Sequence, residues 1–118
     1  MTQATNALQT LDTPAVPVDL DMVRRNIARF HSYGDQIGMA VRPHIKTHKL
    51  PQIALMQLAA GAVGITCQKI SEAEAMVAAD SRLKDVLITF NSLGAEKLAH
   101  LRDLAGRVRL TVVADNPR

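Results

Sequence analysis

Residues 42–49, RPHIKTHK, set three cationic side chains (Arg42, Lys46 and Lys49) and two imidazoles (His44 and His48) within eight positions. A charge run is ordinarily a solvated loop. Here Pro43 disfavours a helix, and in extended backbone alternation carries Arg42, His44 and Lys46 to one face. Arg42, at mid-strand, is then withdrawn from bulk water. A lysine at a strand end beside other cations suits Schiff-base chemistry, because neighbouring positive charge favours the neutral, nucleophilic amine. Lys49 falls beyond the strand end and is expected to face solvent. His44 and His48 have the i, i+4 spacing that binds zinc on a helix, but the extended reading removes the helix, so no metal ligands are assigned in this chain. Further on, Gln68 and Lys69 are placed to touch a cofactor, or to sit in a solvated loop.

These residues need elements to hold them. TPAVPVDL, residues 13–20, is extended because two prolines restrict it. Asp21 offers a helix N-cap, Val23, Ile27 and Phe30 form an apolar stripe behind it, and Gly34 is a terminator. From residue 39 a unit repeats: apolar run, polar loop, helix. The first run, Met39 to Ile45, precedes a helix with Pro51 in its first turn and Gly61 as C-cap. Val63 to Cys67 precedes Ser71 and Glu74, which have capping-box spacing. Val86 to Phe90 precedes a helix with Leu98, Leu101, Leu104 and Ala105 on one face, closed by Gly106. Val108 to Ala114 is the fourth run. Their starts at 39, 63, 86 and 108 differ by 24, 23 and 22 residues.

Strands alternating with helices at this spacing predict βαβ units and a parallel sheet, either open and doubly wound or part of a (β/α)8 barrel. A full barrel takes about 250 residues, and this sequence has 118. Parity assigns Met39, Val41, Ile45, Val63, Ile65, Cys67, Val86, Ile88, Phe90, Val108, Leu110 and Val112 to the face beneath helices. The opposite face, including His44, Thr66, Gln68, Thr89, Asn91 and Asp115, grows more polar toward the C-terminal strand ends, where such sheets place ligands.

Composition narrows the function classes. Hydrophobic residues are 47% and charged residues 21%, an ordinary globular balance, and the net charge is only +3. Three aromatics (Phe30, Tyr33 and Phe90) are too few for nucleic-acid stacking platforms. Cys67 is the only cysteine, which excludes intrachain disulfides and Cys-rich zinc sites and fits a reducing cytoplasm. It reads as a small buried hydrophobe. No stretch approaches the roughly 18 apolar residues of a membrane span, and residues 1–10 lack a secretory signal. His31 and His100 fall on helices and are expected at the surface. No Walker A or GxGxxG pattern occurs.

RPHIKTHK, together with TPAVPVDLD before a helix bearing Asn26 and Ile27, GITCQKISEAE, and VRLTVVADN, resembles the N-terminal part of D-threonine aldolase and the related D-serine dehydratase. These are alanine-racemase-like, fold-type III enzymes that use pyridoxal 5'-phosphate. The resemblance spans about residues 13–116, behind a polar leader at 1–12. It implies an α/β fold: a partial (β/α)8 TIM barrel, N-terminal half only, of about four parallel strands with intervening helices. It also implies that Lys46 forms the Schiff base with pyridoxal phosphate, with His44 and Gln68 beside the cofactor. The expected substrate is a small D-amino acid, with no nucleic acid or membrane as partner and homo-oligomerisation left open. The intact family enzyme would be a cytoplasmic, metal-dependent lyase: D-threonine aldolase first, giving glycine and acetaldehyde, and D-serine dehydratase, giving pyruvate and ammonia, as the alternative. The phosphate cup and the divalent-metal ligands lie in segments this sequence lacks, so the chain alone is expected to be inactive. A non-catalytic pyridoxal-phosphate-binding protein or an inert truncated barrel are the other readings.

Overall fold

Asp19 starts a long helix. In the computed structural model, which describes residues 8–116, its carboxylate accepts the Asp21 and Met22 backbone amides at 2.9 Å, satisfying two of the donors a helix N-terminus leaves open. Asp21, the expected cap, instead sits in the first turn of α1 (Leu20–Gln36) and pairs with Arg24. The inward stripe is Val23, Ile27, His31 and Gly34, a spacing of four, four and three, which leaves Phe30 64% exposed and buries His31. Both outcomes correct the sequence reading. Gly34 does not end the helix: a Cβ there would lie 2.8 Å from Val41 Cγ2 and 3.0 Å from the Met39 carbonyl. Glycine is needed for close packing, and the helix runs on to Gln36.

The chain then passes extended through residues 39–44 beside β1 (Ile65–Cys67). Val63 donates to the Val41 carbonyl and Thr66 to the Pro43 carbonyl, and one parallel bridge joins His44 to Thr66. Pro43 has no N–H to return, and the backbone tightens at once into a 3-10 turn, Ile45–Thr47. Of the four expected strands, the first is therefore a bridged segment and three are true strands. After α2 (Pro51–Ala59) and β1 come α3 (Ile70–Ala79), β2 (Asp85–Ile88), α4 (Ala95–Ala105) and β3 (Arg109–Val112). Gly106 caps α4 as its position predicted, although only Leu104 of the proposed stripe is fully buried and Leu98 is exposed. The capping box at Ser71 and Glu74 does not form. Lys69 takes the N-cap position without a side-chain bond, and Glu72 reaches back to the Gln68 amide instead.

The strands are parallel in the order β1-β2-β3, each beside its successor in sequence. Register aligns Ile65 with Val86 and Leu110, and Cys67 with Ile88 and Val112. Ile45, Ile65, Cys67, Val86 and Ile88 are fully buried and pack with Ala54, Ala73, Met76 and Leu104 of the helices. Each large side chain so buried contributes about 1.5–3 kcal/mol. The alternation fails at Met39, Val63, Phe90 and Val112, which lie beyond the helices' cover and are exposed. Consecutive neighbours joined by helices match one arc of a barrel, whereas a doubly wound sheet reverses strand order at a switch point. The radius of gyration, 17.2 Å, exceeds the roughly 13.5 Å of a closed domain of this length. The molecule is thus an open α/β arc, a partial barrel whose sheet has helices over one face. No helix among the described residues is long and apolar enough to cross a membrane.

Candidate active site

The C-terminal strand edge carries the residues singled out above. His44 lies in the bridge to Thr66, and Lys46 and Gln68 each follow two residues on, so both leave the same edge of the sheet. The turn at Ile45 to Thr47 exists because Ile45 is driven wholly into the core while His44 caps the turn, its Nδ1 accepting the Lys46 amide at 3.3 Å. His48 does the same for the next helix, with Nδ1 accepting the Leu50 amide at 3.0 Å. With Nδ1 an acceptor, each imidazole carries its proton on Nε2 when neutral. Both Nε2 atoms are buried, with no hydrogen-bond partner among the described residues. Burial pushes the His48 pKa below its ordinary value.

The two lysines of the motif differ. Lys46 is exposed, and no hydrogen bond or ion pair engages its Nζ among the described residues. Lys49, expected simply to face solvent, is bound: its Nζ lies 2.8 Å from Glu72 Oε1, and the other oxygen of that carboxylate accepts the Gln68 amide at 2.9 Å. Lys49 also has φ +54°, a left-handed conformation that is costly for a residue with a Cβ. Burial pushes the Glu72 pKa up, but the bonds from Lys49 and Gln68 and the charges of Lys49 and Lys69 outweigh it and hold it below the ordinary value. Alternation cannot reveal such a tie across 23 residues. The only sequence signal was an acidic residue in the first turn after a strand.

On the open face, Thr66 is buried beside His44, aligned with Leu87 and Thr111. Thr89 Oγ1 donates to the Cys67 carbonyl at 3.4 Å, and Asn91 Nδ2 donates to Asp115 Oδ2 at 3.0 Å, linking the loops after β2 and β3. Arg42 is not part of this edge. Its guanidinium crosses Gly64 at the opposite end of β1 to reach Asp85 Oδ1 at 2.7 Å, and Arg109 approaches the other oxygen at 3.5 Å. Cys67 is buried, its thiol pushed up to about 12 by desolvation and the nearby Glu72 charge. His100 is exposed on α4, 2.7 Å from Glu74. Among the described residues no three His, Cys, Asp or Glu side chains draw together as metal ligands.

One strand edge thus carries Lys46, whose amine has no partner among the described residues, together with His44 and the buried Thr66. No protein-family model matches the chain, but individual relatives do. It is 42% identical over 114 residues to the D-threonine aldolase of Arthrobacter sp, covering 97% of this chain and 30% of the relative. To the D-threo-3-hydroxyaspartate dehydratase of Delftia sp. (strain HT23) it is 50% identical over 74 residues, 63% of this chain and 20% of that one. The solved D-threonine aldolase from Filomicrobium marinum superposes with a TM-score of 0.84 at 45% identity, over 89% of this chain and 28% of its own. For the solved Delftia sp. HT23 dehydratase the values are 0.82 and 41%, over 92% and 28%. The chain thus spans about 30% of the length of the first of these relatives. On identity and on superposition alike, it belongs to the family of D-threonine aldolase and D-threo-3-hydroxyaspartate dehydratase, fold-type III enzymes of which it carries part of the barrel.

Proposed function

We propose that this chain supplies the lysine-bearing part of a pyridoxal-phosphate-dependent lyase acting on D-configured 2-amino-3-hydroxy acids, with D-threonine aldolase activity as the first reading. The observation that carries it is the contrast between the lysines: among the described residues Lys46 Nζ is unengaged, whereas Lys49 Nζ is held by Glu72. Lys46 would hold the cofactor's aldehyde carbon, and the His44 Nε2–H and Thr66, with Gln68 at the strand end, would line the ring. Pyridoxal phosphate, when bound, supplies an electron sink for the pair released at the substrate α-carbon. Lys46 Nζ, freed by an incoming substrate amine, is then an amine at the reacting centre able to hold or return a proton. Aldol cleavage also needs a base at the substrate β-hydroxyl, and no described residue is assigned that role.

The substrate class rests on the relatives. D-Threonine and 3-hydroxy-D-aspartate, named for the two aldolases and the dehydratase, share a β-hydroxyl on a D-amino acid, as D-serine does. The dehydratase, 50% identical over its matched span, keeps elimination as a second reading.

Borohydride reduction of the native protein with pyridoxal phosphate, followed by peptide mapping, tests the site. A pyridoxyl adduct on Lys46 is expected, and one on Lys49 would overturn the assignment. Product analysis tests the reaction: an aldehyde plus glycine marks the aldolase, a keto acid plus ammonia the dehydratase.

A further inference from the structure

We propose that Glu72 is the positioning residue of this site: its carboxylate ties the loop after Lys46 to the loop after β1 and withholds Lys49, leaving Lys46 as the reacting amine. The inference rests on the Lys46 reading above and adds what selects that lysine over its neighbour three residues away.

Glu72 is 8% exposed, and neither oxygen is idle. Oε1 takes the Lys49 ammonium and Oε2 the Gln68 backbone amide. A buried carboxylate persists only when its desolvation is offset by such partners. Here the partners belong to two different loops at one strand edge. One loop runs from Lys46 through Lys49 into α2, and the other from Cys67 through Gln68 into α3.

The backbone gives a second, independent sign. Lys49 adopts φ +54°, a conformation glycine would take at lower cost. A side chain there is accounted for by what it does, and this one ends on Glu72. Strain of this kind is kept where the surroundings over-determine it: the Ile45 carbonyl accepts both the His48 and the Lys49 amides, and Glu72 takes the ammonium. With Lys49 so fixed, the preceding turn is clamped at both ends, by His44 at its start and by Glu72 beyond its finish. Lys46, in the middle of that turn, has a set backbone and a free amine.

The test reads amine availability at each lysine in the native protein by trace acetylation with acetic anhydride. It is paired with pyridoxal phosphate and borohydride, both followed by peptide mapping, with Lys84 and Lys97 as internal references. In Glu72→Gln the acetylation of Lys49 should rise about three- to fivefold, the scale of a half-exposed ion pair, and the pyridoxyl adduct should spread from Lys46 to Lys49. An adduct that stays wholly on Lys46, with Lys49 acetylation unchanged, overturns the role of Glu72 and leaves the Lys46 reading intact. A wild-type adduct on Lys49 defeats that reading before any variant is made. If Glu72→Gln folds poorly, Lys49→Met removes the same tie from its exposed side. Amide hydrogen exchange over residues 46–50 should then quicken while β1 to β3 stay protected, and Lys49→Arg should restore the slow rate. Unchanged exchange in Lys49→Met would overturn the proposal.

Discussion

The two ends of the sheet use the same residue types to opposite effect. At the N-terminal end, Asp85 receives Arg42 and Arg109, so one carboxylate joins the bridged segment, β2 and β3. Gly64 lies beneath the Arg42 guanidinium as it crosses β1. At the C-terminal end the amine of Lys46 and the Nε2 of His44 have no partner among the described residues. Barrels divide labour in this way, with stability built at the bottom and chemistry at the top. Charge count does not separate a latch from a site. What separates them is whether each charge has been matched.

The sharpest division between the ends concerns activity. The 118-residue chain alone is expected to show no appreciable aldehyde or keto-acid release from D-threonine, D-serine or 3-hydroxy-D-aspartate. Its open face leaves Thr89 and Thr111 in water, and no described group is assigned to the substrate hydroxyl. Its outer strand edges also invite pairing between copies. Size-exclusion chromatography with the assays checks this. A monomer turning over at about 1 per second or faster would show that the arc already holds a complete site.

Next in size is Lys46→Met in the native protein. Loss of a group that handles protons at the reacting centre should lower kcat by about 10²–10⁴-fold. In the cofactor-free protein the thermal midpoint should barely move, because among the described residues no hydrogen bond or ion pair of Lys46 Nζ is lost. A large fall in the midpoint with kcat intact would place Lys46 among the structural residues and erase the contrast between the ends.

Gly64→Ala is the mirror experiment. A Cβ there would lie 2.5 Å from the Asp85 carbonyl and 2.9 Å from Asp85 Oδ1, and would collide with Arg42 Nη1. The latch must open or the strands must part, at a cost of about 1–3 kcal/mol. Denaturant melts should register it, while acetylation of Lys46 stays as in the wild type. A variant as stable as the parent would mean that the guanidinium has another route to Asp85.

Alternation served the sequence reading where a helix lies over the sheet. Ile65, Cys67, Val86 and Ile88 were placed correctly because burial on one face is a period-two property of the chain itself. It failed where a neighbour decides. Phe30 looked like part of the α1 stripe, but the buried side chain on that helix is His31, one position on. Gly34 looked like a stop, yet it admits Val41. Pro43 stood in the sequence throughout, and its missing donor reduced the first strand to one bridge. Within the proposed site, motif and parity both point to Lys46, and the structure leaves that residue exposed. The tie at Glu72 could not be read from the sequence, because its pair with Lys49 joins residues 23 apart, through a carboxylate whose own neighbours suggested only a helix start. Arg42 was read as inward and withdrawn from water, which fits its half-buried side chain, but its destination at Asp85 lies 43 residues on.

The smallest effect belongs to an exposed ion pair between helices, His100 of α4 with Glu74 of α3. The bond to Glu74, with the Glu74, Glu96 and Asp103 charges, raises the His100 pKa above its ordinary 6.5. A raised folded-state value means that the protonated imidazole is favoured by folding. Its contribution is fully present below the unfolded pKa of 6.5 and is lost as pH rises through the folded value. Both partners are substantially exposed, so salt and solvent keep the effect slight. His100→Gln should therefore lower stability slightly at pH 6 and leave it unchanged at pH 9, and added salt should shrink the difference at the lower pH. Denaturant midpoints at the two pH values check it. A larger loss at the alkaline pH would reverse the sign and show that His100 supports the fold as a neutral ring between α3 and α4, through packing that a glutamine cannot replace.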